Sequence, residues 1–150
     1  MKIAICFSGQ NRTGHLTSTN ILRYIGDLLP ECDAEYHTAE LTDADKNVEF
    51  YRAYRPRTMM VEQYDLQETK STWGGRRYDP VEDKWHVSMW RSLYEANKLK
   101  MDYARKNQIF YDYTVRIRSD IVFDESKSLK DDIEQIKNDN MFLFGDHYSI

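Results

Sequence analysis

Residues 111–125, YDYTVRIRSDIVFDE, contain the pattern that decides the fold class of this chain. Apolar and β-branched residues alternate with Arg116 and Arg118, which is typical of a β-strand. The strand runs directly into Ser119 and Asp120, so that a carboxylate follows the strand end. In an open α/β sheet, ligands bind at the carboxyl ends of the strands. The stretch therefore predicts that Asp120 meets a metal-bound phosphate at such an edge.

The start of the chain has the pattern of a central strand. Residues 2–8, KIAICFS, form a nearly continuous apolar run, which is typical of a parallel strand covered on both faces. A polar loop with Gly9 and Gly14 follows, and then an amphipathic helix. Backbone N–H groups and the helix dipole can hold an anion at such a turn, and Arg12 adds a bidentate donor. The loop either binds a phosphate or only turns the chain.

The spacing of the two glycines invites comparison with the P-loop, GxxxxGK[ST]. His15 and Leu16 stand where that motif has its phosphate-binding lysine and its Mg²⁺-binding hydroxyl. The sequence therefore argues against an NTPase of the P-loop class.

The rest of the chain alternates strands with helices. We predict further strands at 32–40, 58–63 and 141–144, a long helix at 85–106 and a short helix at 129–137. The order is βαβαβ, followed by the long helix and more strands. This order predicts an α/β domain with a mainly parallel sheet and helices on both faces.

Several polar residues outside these stretches are candidate site residues. His37 and Thr38 stand near the predicted carboxyl end of the second strand, although a lone histidine is more often structural than a ligand. Asn97 falls close to the apolar stripe of the long helix, where its amide needs partners or a ligand. Asp146 follows the last predicted strand and could supply a further ligand or a catalytic base. Residues 65–84 predict either a lid over the site or a solvated excursion.

Composition excludes several classes of function. The net charge is −4, and the 21 basic residues are spread among 25 acidic ones, which argues against nucleic acid as a partner. The two cysteines form no disulfide or metal framework, so we expect a reduced, cytoplasmic protein. No stretch approaches the roughly 18 apolar residues of a transmembrane helix. The 150 residues predict a single domain.

These features together predict a site for a nucleoside diphosphate with a divalent cation. Carboxylates suit Mg²⁺ and Mn²⁺, and phosphate oxygens and waters can fill the remaining positions around the cation. The cation would neutralise the charge that develops on a leaving diphosphate. The structural interpretation is that Asp120 caps a turn and that Arg116 and Arg118 form ion pairs on a face of the sheet.

Three blocks of the sequence resemble a known family. They are MKIAICFSGQNRTG at the start, WHVSMWRSLYEANKLKMDYARKN in the long helix, and YDYTVRIRSDIVF. The blocks, in this order, are similar to those of nucleotide-sugar glycosyltransferases from large DNA viruses, phages and bacterial polysaccharide clusters. The resemblance implies a GT-A-type fold with a Rossmann-like nucleotide-binding half. It also implies transfer of a hexose from a nucleotide diphosphate sugar to a glycan or another hydroxyl acceptor.

The resemblance also implies roles for single residues. The DxD-like motif that binds Mn²⁺ or Mg²⁺ falls on residues 118–120, and its first acidic position is Arg118, so metal binding rests on Asp120. Arg12 and Arg118 would neutralise phosphate, and His37 and Thr38 would lie near the base or ribose. The donor nucleotide would be contacted by the strand and loop residues Ser8, Gly9, Gln10 and Arg12.

Two alternatives to this function remain open, a nucleotidyltransferase and a non-catalytic nucleotide-binding or scaffold domain. The acceptor half of such a transferase would follow residue 150, so we expect residues 1–150 to be the donor-binding part, incomplete at its C-terminus. A sheet edge left open in this way predicts pairing with a second copy as a homodimer.

Overall fold

The computed structural model describes residues 1–10, 14–26, 33–41, 44–62, 84–139 and 148–149. In chain order the elements are β1 (Lys2–Gln10), α1 (Gly14–Gly26), β2 (Asp33–Leu41), α2 (Ala44–Tyr54), β3 (Thr58–Glu62), α3 (Lys84–Asn107), β4 (Tyr113–Ile117), β5 (Ile121–Val122), α4 (Leu129–Asp139) and β6 (Tyr148–Ser149). The predicted α/β class and the alternation of strands and helices are confirmed. The strand predicted at 141–144 lies outside the described residues.

Four strands form an all-parallel sheet in the order β3-β2-β1-β4. From β1 the chain moves to β2 and β3 on one side, and α3 then carries it back to β4 on the other side of β1. This topology is compatible with a Rossmann-like fold. The short strands β5 and β6 form a separate antiparallel pair.

β1 is the centre of the molecule. Its residues from Ile3 to Phe7 are at most 2% exposed, which confirms the predicted strand covered on both faces. Side chains of a strand point alternately to opposite faces, and here Ile3, Ile5 and Phe7 pack in the core that includes α1 and α2 residues. Cys6 points to the other face and packs against Ala96 of α3. The predicted helices on both faces are therefore confirmed.

Aromatic rings fill the core between β1 and α2. The ring of Phe7 lies 5.1 Å from that of Phe50 and 4.5 Å from that of Tyr54, measured between centroids. Ring pairs at such distances contribute about 0.5–1.5 kcal/mol beyond the burial of their area. Because Phe50 and Tyr54 are one helical turn apart, both rings of α2 reach the same strand residue.

One face of α1 holds the segment 119–127 in place. The Thr17 hydroxyl donates to the Ser119 carbonyl at 2.5 Å. The Asn20 side chain bonds both main-chain groups of Phe123, accepting from its N–H at 2.7 Å and donating to its carbonyl at 2.9 Å. Arg23 donates to further carbonyls of the segment, including those of residues 124 and 125 at 2.9 and 2.8 Å. The chain after β4 is thus fixed by α1.

We expect Asn20→Ala to lower the free energy of unfolding by about 1–3 kcal/mol, because it removes two hydrogen bonds that hold the main-chain N–H and carbonyl of Phe123. Urea unfolding at neutral pH measures this loss. Asn107→Ala is the matched control, since Asn107 makes one exposed bond to the Tyr103 carbonyl at the end of α3, and its cost should stay within about 0.5 kcal/mol. Equal losses in the two variants would contradict the role assigned to Asn20.

Candidate functional site

The order of the strands creates a candidate site between β1 and β4. The chain leaves β1 toward β2 on one side and returns to β4 on the other, and ligands of open α/β sheets bind at the carboxyl ends of the two strands at such a point. Phe7 of β1 pairs with Ile117 of β4. The end of β1, at residues 8–10, therefore lies beside residues 118–120. The two segments can contribute to one site, as the sequence predicts.

Ser8 and Gly9 form the β1 side of this site. Ser8 is fully buried, and its hydroxyl accepts a hydrogen bond from Nε of Arg116 at 2.9 Å. Gly9 has a φ of +136°, a conformation that L side chains rarely adopt, so the backbone requires glycine here. No described atom lies within 4 Å of the position that a Cβ would take at Gly9. The strand end is therefore open on this side.

Arg118 and Asp120 form the β4 side. The guanidinium of Arg118 donates two hydrogen bonds to the Asp120 carboxylate, at 2.9 and 2.7 Å. This is an ion pair of the kind that the structural interpretation anticipated for Arg118. The Arg118 side chain is 50% exposed and the Asp120 side chain 13%, so a ligand can reach the pair from its arginine side and would have to replace both hydrogen bonds.

The described residues contain no group of three or more His, Cys, Asp or Glu side chains that could hold a metal ion. Asp120 remains the predicted metal ligand, and in this structure its carboxylate pairs with Arg118. Mg²⁺ is often held by one or two carboxylates together with substrate phosphates and waters. The single carboxylate of Asp120 would suit a divalent cation whose other ligands are phosphate oxygens and waters.

The expected position of His37 near a strand end is corrected by the structure. β2 continues to Leu41, so that His37 lies in the middle of the strand. Its ring is fully buried, with Nδ1 2.7 Å from the Thr58 hydroxyl and Nε2 3.1 Å from the Tyr111 hydroxyl. Tyr111 in turn donates to the carboxylate of the buried Glu35. Both ring nitrogens are engaged within the protein, away from the ends of β1 and β4.

The electrostatics of this network select one protonation state. Burial lowers the pKa of His37 to about 4, against a smaller opposing effect of the Glu35 carboxylate. Because Tyr111 donates its proton to Glu35, its oxygen accepts from Nε2 of the neutral imidazole, and the Thr58 hydroxyl donates to Nδ1. Each of these four side chains has a hydrogen-bond partner. The network joins β2, the first residue of β3 and Tyr111, which precedes β4. We assign His37 a structural role.

Thr38 and Asn97 also lie away from the candidate site. Thr38 is fully buried, and its hydroxyl has no hydrogen-bond partner among the described residues. Asn97 follows Ala96, which packs on Cys6 in the middle of β1, and its amide donates to the Met101 sulfur at 3.6 Å. Thr38 pairs with Phe7 on the edge of β1 opposite to β4, and Asn97 lies on α3.

The remaining predictions concern residues or side chains outside the described part of the structure. Gln10 is the last residue of β1, and its side chain is not among those described. Arg12, Asp146 and the loop predicted at 65–83 lie outside the described residues.

Sequence reasoning gave Arg116 no ligand role, although the structure places this side chain beside Ser8 at the same strand ends. The available signal was the spacing of Arg116 and Arg118, since residues two apart in a strand share one face of the sheet.

Comparisons of the chain with protein-family models, with curated proteins and with solved structures find no match. No helix in the described part of the chain is long and apolar enough to cross a membrane. The function therefore has to be inferred from the geometry at the ends of β1 and β4.

The His37 network makes the free energy of unfolding depend on pH. The unfolded chain takes up a proton at His37 near pH 6.5, whereas the folded protein does so only near pH 4, so stability is lost as the pH falls through this window. We expect His37→Gln to be less stable than wild type at neutral pH, by a difference that shrinks by roughly 2–3 kcal/mol toward about pH 4.5. Urea unfolding of both proteins across this range measures the difference. A difference that is constant with pH would contradict a histidine kept neutral by the fold.

Proposed function

We propose that this chain is the donor-binding part of a metal-dependent glycosyltransferase that transfers a hexose from a nucleotide diphosphate sugar to a glycan or another hydroxyl acceptor. The observation that carries the proposal is the position of Asp120 and Arg118 beside Gly9, at the point where the strand order reverses. Nucleotides bind at this point in doubly wound sheets. The donor diphosphate would lie at the carboxyl ends of β1 and β4.

The local charges support a diphosphate at this position. α1 follows β1 in the chain, and the positive end of a helix dipole favours an anion near the helix N-terminus. Arg118 presents a planar fork that matches phosphate oxygens as well as it matches the Asp120 carboxylate. Both groups would bind and orient the diphosphate.

If Arg118 exchanged Asp120 for a phosphate, the Asp120 carboxylate would become available to bind a metal ion. When a phosphate binds the Arg118 guanidinium, the Asp120 carboxylate no longer pairs with Arg118 and lies next to the phosphate. Mn²⁺ or Mg²⁺ bound there would supply positive charge for the departing nucleoside diphosphate. The hydrogen bond from Thr17 to the Ser119 carbonyl keeps the carboxylate at the strand end during this exchange.

A non-catalytic nucleotide-binding domain is the second candidate. Arg118 stands at the first acidic position of the DxD-like motif and already satisfies the Asp120 carboxylate. A non-catalytic domain would bind the nucleotide through Arg118 and would need no metal ion. Product analysis with a labelled nucleotide sugar separates the candidates, because a glycosyltransferase releases the nucleoside diphosphate, a nucleotidyltransferase would transfer the nucleoside monophosphate and release the sugar phosphate, and a non-catalytic domain releases neither.

Calorimetric titration of UDP and GDP, with and without Mn²⁺, tests the site. We expect one of the two to bind more tightly with Mn²⁺, and Asp120→Asn to remove at least about tenfold of that affinity, or 1.4 kcal/mol. Asp102→Asn is the control for the loss of a carboxylate paired with arginine, because Asp102 pairs with Arg105 on the exposed surface of α3, and it should bind as wild type does.

Two results would contradict a metal-dependent donor site. The first is an affinity that Mn²⁺ does not change, which favours the non-catalytic candidate. The second is an Asp120→Asn variant that binds as tightly as Asp102→Asn does.

A further inference from the structure

Arg116 is held at the end of the sheet by a buried hydroxyl. Its Nε donates to Oγ of Ser8, which is fully buried in β1, while the Arg116 side chain as a whole remains exposed. The bond occupies the Nε edge of the guanidinium. The printed bond to Ser8 does not use the two terminal nitrogens, and this pair can also bind an anion in a bidentate manner.

No carboxylate among the described residues lies within ion-pair distance of Arg116, although the nearby Arg118 is paired with Asp120. Partial burial and the positive charge of Arg118 both lower the pKa of the Arg116 guanidinium. Among the described residues, Arg116 thus lies near a second guanidinium group and has no carboxylate partner of its own. Like charges held together in this way favour a bound anion, since an anion offsets their repulsion.

The surface around Arg116 carries a further cation. Thr114 and Arg116 point to the α3-facing side of the sheet, where α3 packs on β1, β2 and β3 and leaves both side chains exposed. Nζ of Lys100 on α3 donates to the Thr114 hydroxyl at 3.1 Å. We call this surface, formed by Ser8, Lys100, Thr114, Arg116 and Arg118, the β4 shelf.

We infer that the β4 shelf binds a phosphate or diphosphate group, held by the guanidinium groups of Arg116 and Arg118. The assignment of that group to a nucleotide rests on the proposed function, whereas the binding of the anion does not. The paired positive charges match the two or three negative charges of such groups better than the single charge of a carboxylate. The anion would lie on the α3-facing side of β1 and β4.

This position has a consequence for Asp120. An anion on the β4 shelf competes with the Asp120 carboxylate for the Arg118 fork. The anion and a divalent cation at Asp120 would therefore support each other's binding.

Titration of inorganic pyrophosphate into the full chain, without metal, tests the inference. We expect Arg116→Gln to weaken binding at least about tenfold, and Arg116→Lys to weaken it less, because lysine keeps the charge and loses the fork. The charge-matched control is Arg105→Gln, which removes an exposed arginine paired with Asp102 on α3 and should bind within about twofold of wild type. Thermal unfolding of each variant checks that the fold is retained.

The outcomes separate this inference from the proposed function. Pyrophosphate that binds Arg116→Gln as tightly as wild type, or that does not bind wild type at all, overturns the inference, even if UDP or GDP binds. Pyrophosphate binding that depends on Arg116, without any binding of UDP or GDP, supports the β4 shelf and overturns the proposed nucleotide site. Binding of UDP or GDP that also depends on Arg116 supports both.

Discussion

The parallel pairing of β1 with β2 on one side and with β4 on the other is the constraint on which the rest of the structure depends. A strand paired on both edges and buried on both faces cannot shift its register without exposing apolar side chains. The register therefore fixes Phe7 beside Ile117. It also sets the polar residues that follow these two positions next to each other, which is the geometric basis of the candidate site.

α1 connects the core to that site. Its apolar side packs Ile21 and Ile25 in the core with β1, while Thr17, Asn20 and Arg23 bond the main chain after β4. One helix thus stabilises the central strand and holds the segment that carries Asp120. Main-chain groups take part in most of these bonds, so the segment is held through its backbone, and the Asp120 side chain remains available for exchange of partners.

The two polar clusters of the sheet differ in charge balance, and this difference indicates which of them binds a ligand. Around His37 each hydrogen-bonding group has a protein partner, and the Glu35 carboxylate lies 4.0 Å from Lys2 Nζ and 3.6 Å from Arg57 Nε. Arg116, in contrast, lies near the positive charge of Arg118 and has no carboxylate partner in the described part of the chain. A satisfied cluster stabilises the fold, whereas an unbalanced and open cluster is the better candidate for an anion site.

The sequence by itself determined the α/β class, the buried first strand, and the position of Asp120 after a strand, because apolar runs, residue spacing and turn residues are local signals. It also placed Arg116 and Arg118 on one face of the sheet, but it did not indicate which groups these arginines bind. Only the tertiary structure decided that β4 pairs with β1, that Arg118 binds Asp120, and that His37 contacts Tyr111, which is 74 residues away. Local patterns do not encode which strands become neighbours, and the partners of polar side chains follow from that pairing.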